Sequence, residues 1–485
     1  MKLDRPLQLR SHLSGGAPAA RADAATPLEI VDPWRGDLAA TLECGGDSSV
    51  ATAVQSAKAA YRSNGGQTRA QRAQWLEKAA DLIADSQELL VELSVRTIGK
   101  PRKAAKFEIL RSAAFVRACA RQIHEFAGEL VPLDSSPAGV GRYGIAERVP
   151  YGVVAAITPF NAPANLLVQK VAPALVTGNA VIVKPSPEGA AVALEIAKLF
   201  EQAGLPAGLF QVVLGGADEA LSLAAHQDVA VVTLTGGTAA GEALARAAGA
   251  KPFLGELGGN SANIVCADAD LGDAAKRLAA SAFEASGQQC ISAQRIIVEA
   301  AVYDAFVEQF LAAAKQLKVG DPADPSTDLG PVVHARAADR IMGMIEEAQA
   351  AGGTLLLEPK RNGCLIEPTV IAGVPRDARV VQEEVFGPVV VLIKVDTVEE
   401  AIMVANDCEF GLQASCFTRD LETAFRVGRE VRAGSVWINE ASRFRLDNYP
   451  FGGFGKSGSG REGIRYAMEE YTTWKFLGIR LPGQN

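Results

Sequence analysis

A cysteine, a glutamate and an asparagine, each near glycine or other small residues, are the side chains of this sequence best suited to covalent chemistry. Cys290 lies in Gly287-Gln288-Gln289-Cys290-Ile291-Ser292-Ala293-Gln294, a turn-prone, uncharged loop from which a thiol can reach an electrophile. The alternative is a small buried hydrophobe, the commoner fate of a free cysteine. Glu256, in Gly255-Glu256-Leu257-Gly258-Gly259-Asn260, is a carboxylate that burial would shift toward general-base use; a solvated loop glutamate is the competing reading. Asn161 follows Thr158-Pro159-Phe160 and either caps a turn or offers its amide to an oxyanion. His12, His124, His226 and His334 are scattered, so the sequence offers no local metal site and no histidine to activate the thiol.

The elements that must hold these residues can be read from the apolar pattern. Apolar residues at helical spacing mark a helical region from Ser48 to Ser94 and a helix from about Lys103 to Phe126. From Gly152 onward short apolar runs alternate with helical segments: Gly152 to Ile157, Ala180 to Val183, Phe210 to Leu214 and Val229 to Leu234 read as strands. Such alternation implies βαβ units, a parallel sheet and a ligand at the carboxyl ends of its strands. The pattern restarts after Gly258 with Ser261 to Val265, a helix from Leu271 to Ser286, the Cys290 loop and Arg295 to Val298, which predicts a second α/β domain. The first thirty residues, rich in Ala, Gly and Pro, read as a meander, and Tyr471 to Leu477 reads as an edge strand, which suggests an oligomer.

Composition narrows the class. A chain of 485 residues with 48% hydrophobic content is long enough for two or three domains with a large core. Its 48 basic and 56 acidic residues give a net charge of -8 with no long basic run, which argues against a nucleic-acid surface. No apolar run is long enough to span a bilayer, and the start lacks a signal-peptide core, so a cytoplasmic protein is the expectation. An odd number of cysteines, 7, without a CxxC pair argues against a disulfide framework or structural zinc.

Two glycine-rich stretches compete as nucleotide motifs. Gly453-Phe454-Gly455-Lys456-Ser457-Gly458 matches G-x-G-x-x-G but follows no clear strand and lies far from the βαβ half, and Pro450 stands where a P-loop needs its first glycine. Thr235-Gly236-Gly237-Thr238-Ala239-Ala240-Gly241 follows a strand and opens a helix, so it either faces a pyrophosphate or is an ordinary strand-to-helix turn.

Taken together, TPFNAP at 158 to 163, VIVKPS at 181 to 186, TGGTAAG at 235 to 241, ELGGNS at 256 to 261, GQQCIS at 287 to 292, EEVFGP at 383 to 388 and PFGGFGKSGSGRE at 450 to 462 resemble the aldehyde dehydrogenase superfamily over nearly the whole chain. The resemblance implies the aldehyde dehydrogenase fold: an NAD(P)-binding, Rossmann-like domain over residues 1–126 and 146–257, an α/β catalytic domain over 258–458, and a small β oligomerisation arm over 127–145 and 464–485. It also implies that Cys290 attacks an aldehyde to give a thiohemiacetal held by Asn161 and the Cys290 backbone N–H, with a nicotinamide taking the hydride. Glu256 would then activate the water that releases a free acid, and Lys170 with Glu462 match a proton-relay pair. Members that pass the acyl group to coenzyme A tend to lack that glutamate, so a thioester product and a non-catalytic scaffold are the lesser alternatives.

For the cofactor, the resemblance implies Thr158, Pro159, Phe160, Lys184, Ser186, Gly236, Gly237, Thr238, Gly241, Leu257, Glu384 and Phe386 as contacts. NAD is the expectation and NADP the alternative, because Pro187 stands where NAD-preferring members often carry Glu, and Gly237 where many carry Ser. Family positions lining the substrate funnel fall on Arg111, Gln169, Gln289, Ile291 and Arg445, with Arg443 nearby. Guanidiniums in one channel call for an anion, which points to a short aldehyde bearing a phosphonate, phosphate, carboxylate or sulfonate. The alternative is that they pair internally with Glu108 or Asp447 and the substrate is a general or 2-hydroxy aldehyde. The nearest members would act on lactaldehyde, glyceraldehyde 3-phosphate or phosphonoacetaldehyde, although Gln289 replaces an arginine common in the sugar-phosphate group. A homodimer or homotetramer is expected.

Overall fold

The computed structural model describes residues 5–13 and 27–482. Two sheets carry the site. The first orders its strands Gly458–Ser459, Phe253–Glu256, Val231–Thr235, Val153–Thr158, Ala180–Pro185 and Phe210–Val212. Adjacent strands are parallel except for Gly458–Ser459, which runs antiparallel beside Phe253–Glu256. Every residue of Val153–Thr158 and of Ala180–Pro185 is buried, as a parallel sheet covered on both faces requires. The Asn165–Val176 helix between these strands is buried all round, which fixes Gln169 and Lys170 within the interior.

The second sheet runs Thr354–Leu357, Thr369–Ala372, Val389–Val395, Ala293–Glu299, Ser261–Val265, Gln413–Phe417 and Ser435–Ile438, again parallel except at its Thr354–Leu357 edge. Separate apolar clusters form around it. One is built on Ile341, Val391 and Ile264, another on Phe283, Phe306 and Phe310. The α/β class and the fold implied by the resemblance are therefore present.

Three details differ from the sequence reading. Leu7–Leu9 is a strand, pairing in parallel with Leu38–Leu42, within a stretch read as a meander; most of the rest of that stretch lies outside the described residues. The Thr472–Arg480 strand lies at a sheet edge, as read, but it is already paired along its whole length with Arg142–Pro150, so only its outer edge is open. The expected arm boundaries cut across this packing: residue 145 falls inside that partner strand, and the Ile464–Glu470 helix contributes Ala467 and Met468 to the first core. No helix among the described residues is long and apolar enough to cross a membrane.

Candidate active site

The Leu271–Phe283 helix stops in a turn where Ala285 (φ 51°), Ser286 (φ 60°) and Gly287 (φ 68°) are successively left-handed. For Ala and Ser this conformation costs about 1–3 kcal/mol each. It is held from outside: Ser286 Oγ donates to the Gly330 carbonyl at 2.8 Å, and the Val333 N–H donates to the Gln288 side chain at 2.9 Å. Gly287 is required, since a Cβ there would lie 2.1 Å from the Gly387 oxygen. Cys290 follows this turn, and its carbonyl oxygen lies 1.9 Å from where a Cβ of Gly259 would stand, so the ELGGNS and GQQCIS segments touch backbone to backbone. Asn161 is brought to the same loop, its Nδ2 donating to the Gln288 carbonyl at 2.9 Å while its own carbonyl receives Lys100 Nζ at 2.8 Å.

Glu256 ends the Phe253–Glu256 strand and is paired with Gly458. The glycine-dense 450–462 segment, set aside as a nucleotide motif, is a clamp on this strand. The Leu257 N–H donates to the Ser457 carbonyl at 3.0 Å, Ser457 Oγ donates to the Gly258 carbonyl at 2.7 Å, and a Cβ at Gly458 would lie 1.8 Å from the Gly255 oxygen. Glu256 is buried with one carboxylate oxygen unpartnered, and its pKa is pushed well above the carboxylate range by burial and then by the charge of Glu462. Glu462 behaves oppositely. Burial alone would raise it, but Lys170 at 3.0 Å and Arg445 at 2.8 Å outweigh that and hold it at about 2. Burial, with the field of Glu384 adding to it, pushes the Cys290 thiol up to about 12; the positive charge of Arg445 opposes that rise.

The three funnel arginines have internal carboxylate partners, though not all the expected ones. Arg111 binds Asp447 through two nitrogens at 2.6 and 3.1 Å, Arg443 pairs with Glu284, and Arg445 pairs with Glu462, while Glu108 takes Lys100 instead. The funnel is thus less cationic than counting arginines implied. Gln169 contacts Arg445 and Asp447, Gln289 is half-buried beside the thiol, and Ile291 packs with Leu412 and Phe451 next to Cys290.

The residues expected to touch a dinucleotide collect at neighbouring strand ends. Thr158, Lys184 and Thr235 finish adjacent parallel strands, with Pro159 and Phe160 following the first. Gly237 is the N-cap of the Thr238–Ala248 helix with open space where a side chain would be, and Gly236 precedes it at the strand end. At Gly241 a Cβ would lie 2.5 Å from the Leu257 side chain, so a larger residue there would have to displace Leu257. Ser186 Oγ accepts the Gly189 N–H at 3.1 Å. Phe160 meets Phe386 edge to face at 5.9 Å, Phe386 itself being left-handed (φ 48°). Glu384 accepts the Gly259 N–H at 2.9 Å and is raised by burial to about 7. A bare helix N-terminus, an unpartnered buried hydroxyl on Thr235 and an isolated Lys184 fit a pyrophosphate and ribose.

Sequence reading missed Phe451, over which Arg445 stacks at 3.6 Å, and Thr233, which receives Lys170 at 3.2 Å; Glu108, expected as an arginine partner, caps the Ala164 and Asn165 N–H groups instead. Only the glycine density of the 450–462 clamp signalled its role.

Known proteins agree with this architecture. The profile of the aldehyde dehydrogenase family matches residues 20–477. The 3-sulfolactaldehyde dehydrogenase of Priestia aryabhattai is 39% identical over 94% of this chain and 96% of its own length. The NADP-dependent glyceraldehyde-3-phosphate dehydrogenase of Bacillus halodurans C-125, solved with NADP, superposes with a TM-score of 0.95 at 34% identity, covering 98% of this chain and 100% of that one. The NAD-dependent aldehyde dehydrogenase of Sinorhizobium meliloti superposes with a TM-score of 0.94 at 33% identity, covering 99% and 96%. With its fold, its motif order and these relatives in accord, the chain belongs to the aldehyde dehydrogenase family, enzymes that oxidise aldehydes with NAD or NADP.

Proposed function

We propose that this enzyme oxidises a short aldehyde bearing a sulfonate, phosphonate, phosphate or carboxylate to the free acid, with NAD as the preferred acceptor. The observation that carries the head-group reading is the juxtaposition of Arg111 and Arg443. Their side chains are 22% and 26% exposed, against 7% for Arg445. Burial lowers the Arg443 pKa, Glu284 opposes this, and the charge of Arg111 lowers it further, so the two guanidiniums lie within each other's field. Arg443 Nε is also buried without a partner. An oxyanion between them would relieve the repulsion and fill that donor. The sulfonate and phosphate named in the substrates of the Priestia and Bacillus enzymes are of this chemistry.

Cys290 gives its proton up as its sulfur bonds to the carbonyl carbon, and Glu256, with a free oxygen and a raised pKa, is the base at hand. The oxyanion takes the second N–H of the Asn161 amide and the Cys290 backbone N–H. When bound, the dinucleotide supplies the hydride acceptor. Lys170 with Glu462 carries that first proton away from Glu256, which is then free to deprotonate a water. The carbon–oxygen bond forms as the carbon–sulfur bond breaks, and the departing thiolate takes the water's proton from Glu256, which restores the Cys290 thiol. Glu219 and Glu188 act on Lys184, and an anionic field there disfavours a 2′-phosphate, which supports NAD.

We assign the cofactor-binding and catalytic domains to the two sheets, and the arm to residues 127–150 and 471–482, longer than expected in its first segment and shorter in its second. The arm leaves Leu130 (70% exposed), Phe476 (55%) and Leu477 (53%) uncovered, which supports a homodimer or homotetramer. Seven free thiols suit the cytoplasm.

Initial rates of NADH and NADPH formation across pairs of anionic aldehydes and neutral analogues of matched length test the reading. A kcat/KM preference for one anionic head group supports it. Equal rates on neutral and 2-hydroxy aldehydes would show that the ion pairs of Arg111 and Arg443 stay closed, and a thioester product with coenzyme A would overturn the hydrolytic route.

A further inference from the structure

Arg445 is unlike its two neighbours. Its Nη2 donates to Glu462 at 2.8 Å and to the Gln169 side-chain oxygen, and its guanidinium lies 3.6 Å over the Phe451 ring. Glu462 gives its other oxygen to Lys170, which also reaches Thr233 at 3.2 Å. Gln169 and Lys170 are successive residues of the fully buried helix, so both ends of this network are rigid. The network sets two basic side chains on one carboxylate.

We propose that Arg445 is a positioning residue for the hydrolytic step rather than a receptor for the substrate's head group: it fixes Glu462 against Lys170 and supplies the surplus positive charge that lets Glu256 act as a carboxylate base. The proposal rests on Glu256 being that base and is independent of the head group. The charged groups facing Glu256 are Glu462, Arg445, Lys170 and Arg461, with the Tyr471 phenol also in its field; those facing Cys290 are Glu384, Arg445, Glu256 and Glu462. Arg445 is thus a cation that acts on both the base and the nucleophile. Without it, Glu256 would hold its proton to higher pH, and the acyl-enzyme would wait for a base.

The test uses the full-length enzyme and 4-nitrophenyl acetate, a neutral acyl donor that loads Cys290 without a dinucleotide or an anionic group. In Arg445→Met, hydrolysis of the acyl-enzyme at neutral pH should slow about tenfold and its pH profile should move about one unit upward. Arg445→Lys should recover most of both, and the KM ratio between anionic and neutral aldehydes should stay at the wild-type value. If Arg445→Met does not fold, Gln169→Leu, which frees one anchor of the guanidinium, should give a smaller shift in the same direction. An unchanged profile in the folded variants overturns the proposal. So does a collapse of the anionic preference with the pH profile intact, which would return Arg445 to the head-group site. Failure of the anionic-aldehyde reading alone would leave these acetate results as predicted.

Discussion

At the end of the Ala180–Pro185 strand, Lys184 lies buried with no hydrogen-bonding partner among the described residues, whereas beneath Glu256 the cations Lys170 and Arg445 close on a single carboxylate. Around Lys184 the balancing charges act at range. Burial lowers its pKa while Glu219 and Glu188 pull it back, and Glu219 spends its own oxygens on the Gly46 and Gly216 N–H groups. The first region is left incomplete, as a binding site must be; the second is complete, as machinery reused in each turnover must be. An unfilled buried cation waits for a ligand, and a filled one sets the charge of its neighbours.

The comparison can be broken by substitution, most severely in the closed cluster. Glu462→Gln leaves Lys170 and Arg445 buried without their anion and should cost roughly 3–5 kcal/mol of stability in urea unfolding, with loss of turnover. Lys184→Met should do the reverse. The apo-protein should be no less stable, while dinucleotide affinity by fluorescence titration falls about tenfold, about 1.4 kcal/mol. A stability loss as large as that of Glu462→Gln would erase the distinction between the regions.

Glu384 accepts the Gly259 N–H beside the nucleophile. Burial raises its pKa to about 7 from 4.5, so the folded protein binds this proton more tightly than the unfolded chain does. Its contribution to stability is full below pH 4.5 and is lost as pH rises through about 7, a trend that Glu384→Gln should remove in denaturation curves at either end. The same variant deletes an anion facing Cys290 and should speed alkylation of the thiol by iodoacetamide at fixed pH, opposite in sign to Arg445→Met. The smallest effect belongs to Gly237→Ser. The position has N-cap dihedrals (φ -69°, ψ 152°) and open space, so a serine should raise stability by a few tenths of a kcal/mol in thermal unfolding.

What could be read from the sequence follows physical range. The strands at 153, 180, 210 and 231 announce themselves through short apolar runs, and the family through motifs whose residue types are local requirements. The reading stopped where partners are chosen across the fold. Arg111 meets Asp447 across 336 residues, a partner the sequence did suggest, but Arg443 meets Glu284 across 159 and Arg445 meets Glu462, pairings that no local pattern announces. The Gly458–Ser459 bridge escaped for a similar reason: two residues carry no periodicity, and they form a strand only because Phe253–Glu256 offers an edge. Leu7–Leu9 is likewise too short for a pattern and exists through Leu38–Leu42.

The segment from Gly458 to Arg480 holds the strand that braces Glu256, then Glu462, then the strand that completes the arm against Arg142–Pro150. A ribosome making this chain therefore produces the thiol and its loop long before the groups that complete the reaction centre. While those residues are still in the exit tunnel, the nascent protein can fold much of both sheets but lacks the Lys170–Glu462 pair. The Lys170–Glu462 pair thus closes only after residues well downstream of the thiol have been made, and the pairing that follows spans more than 300 residues.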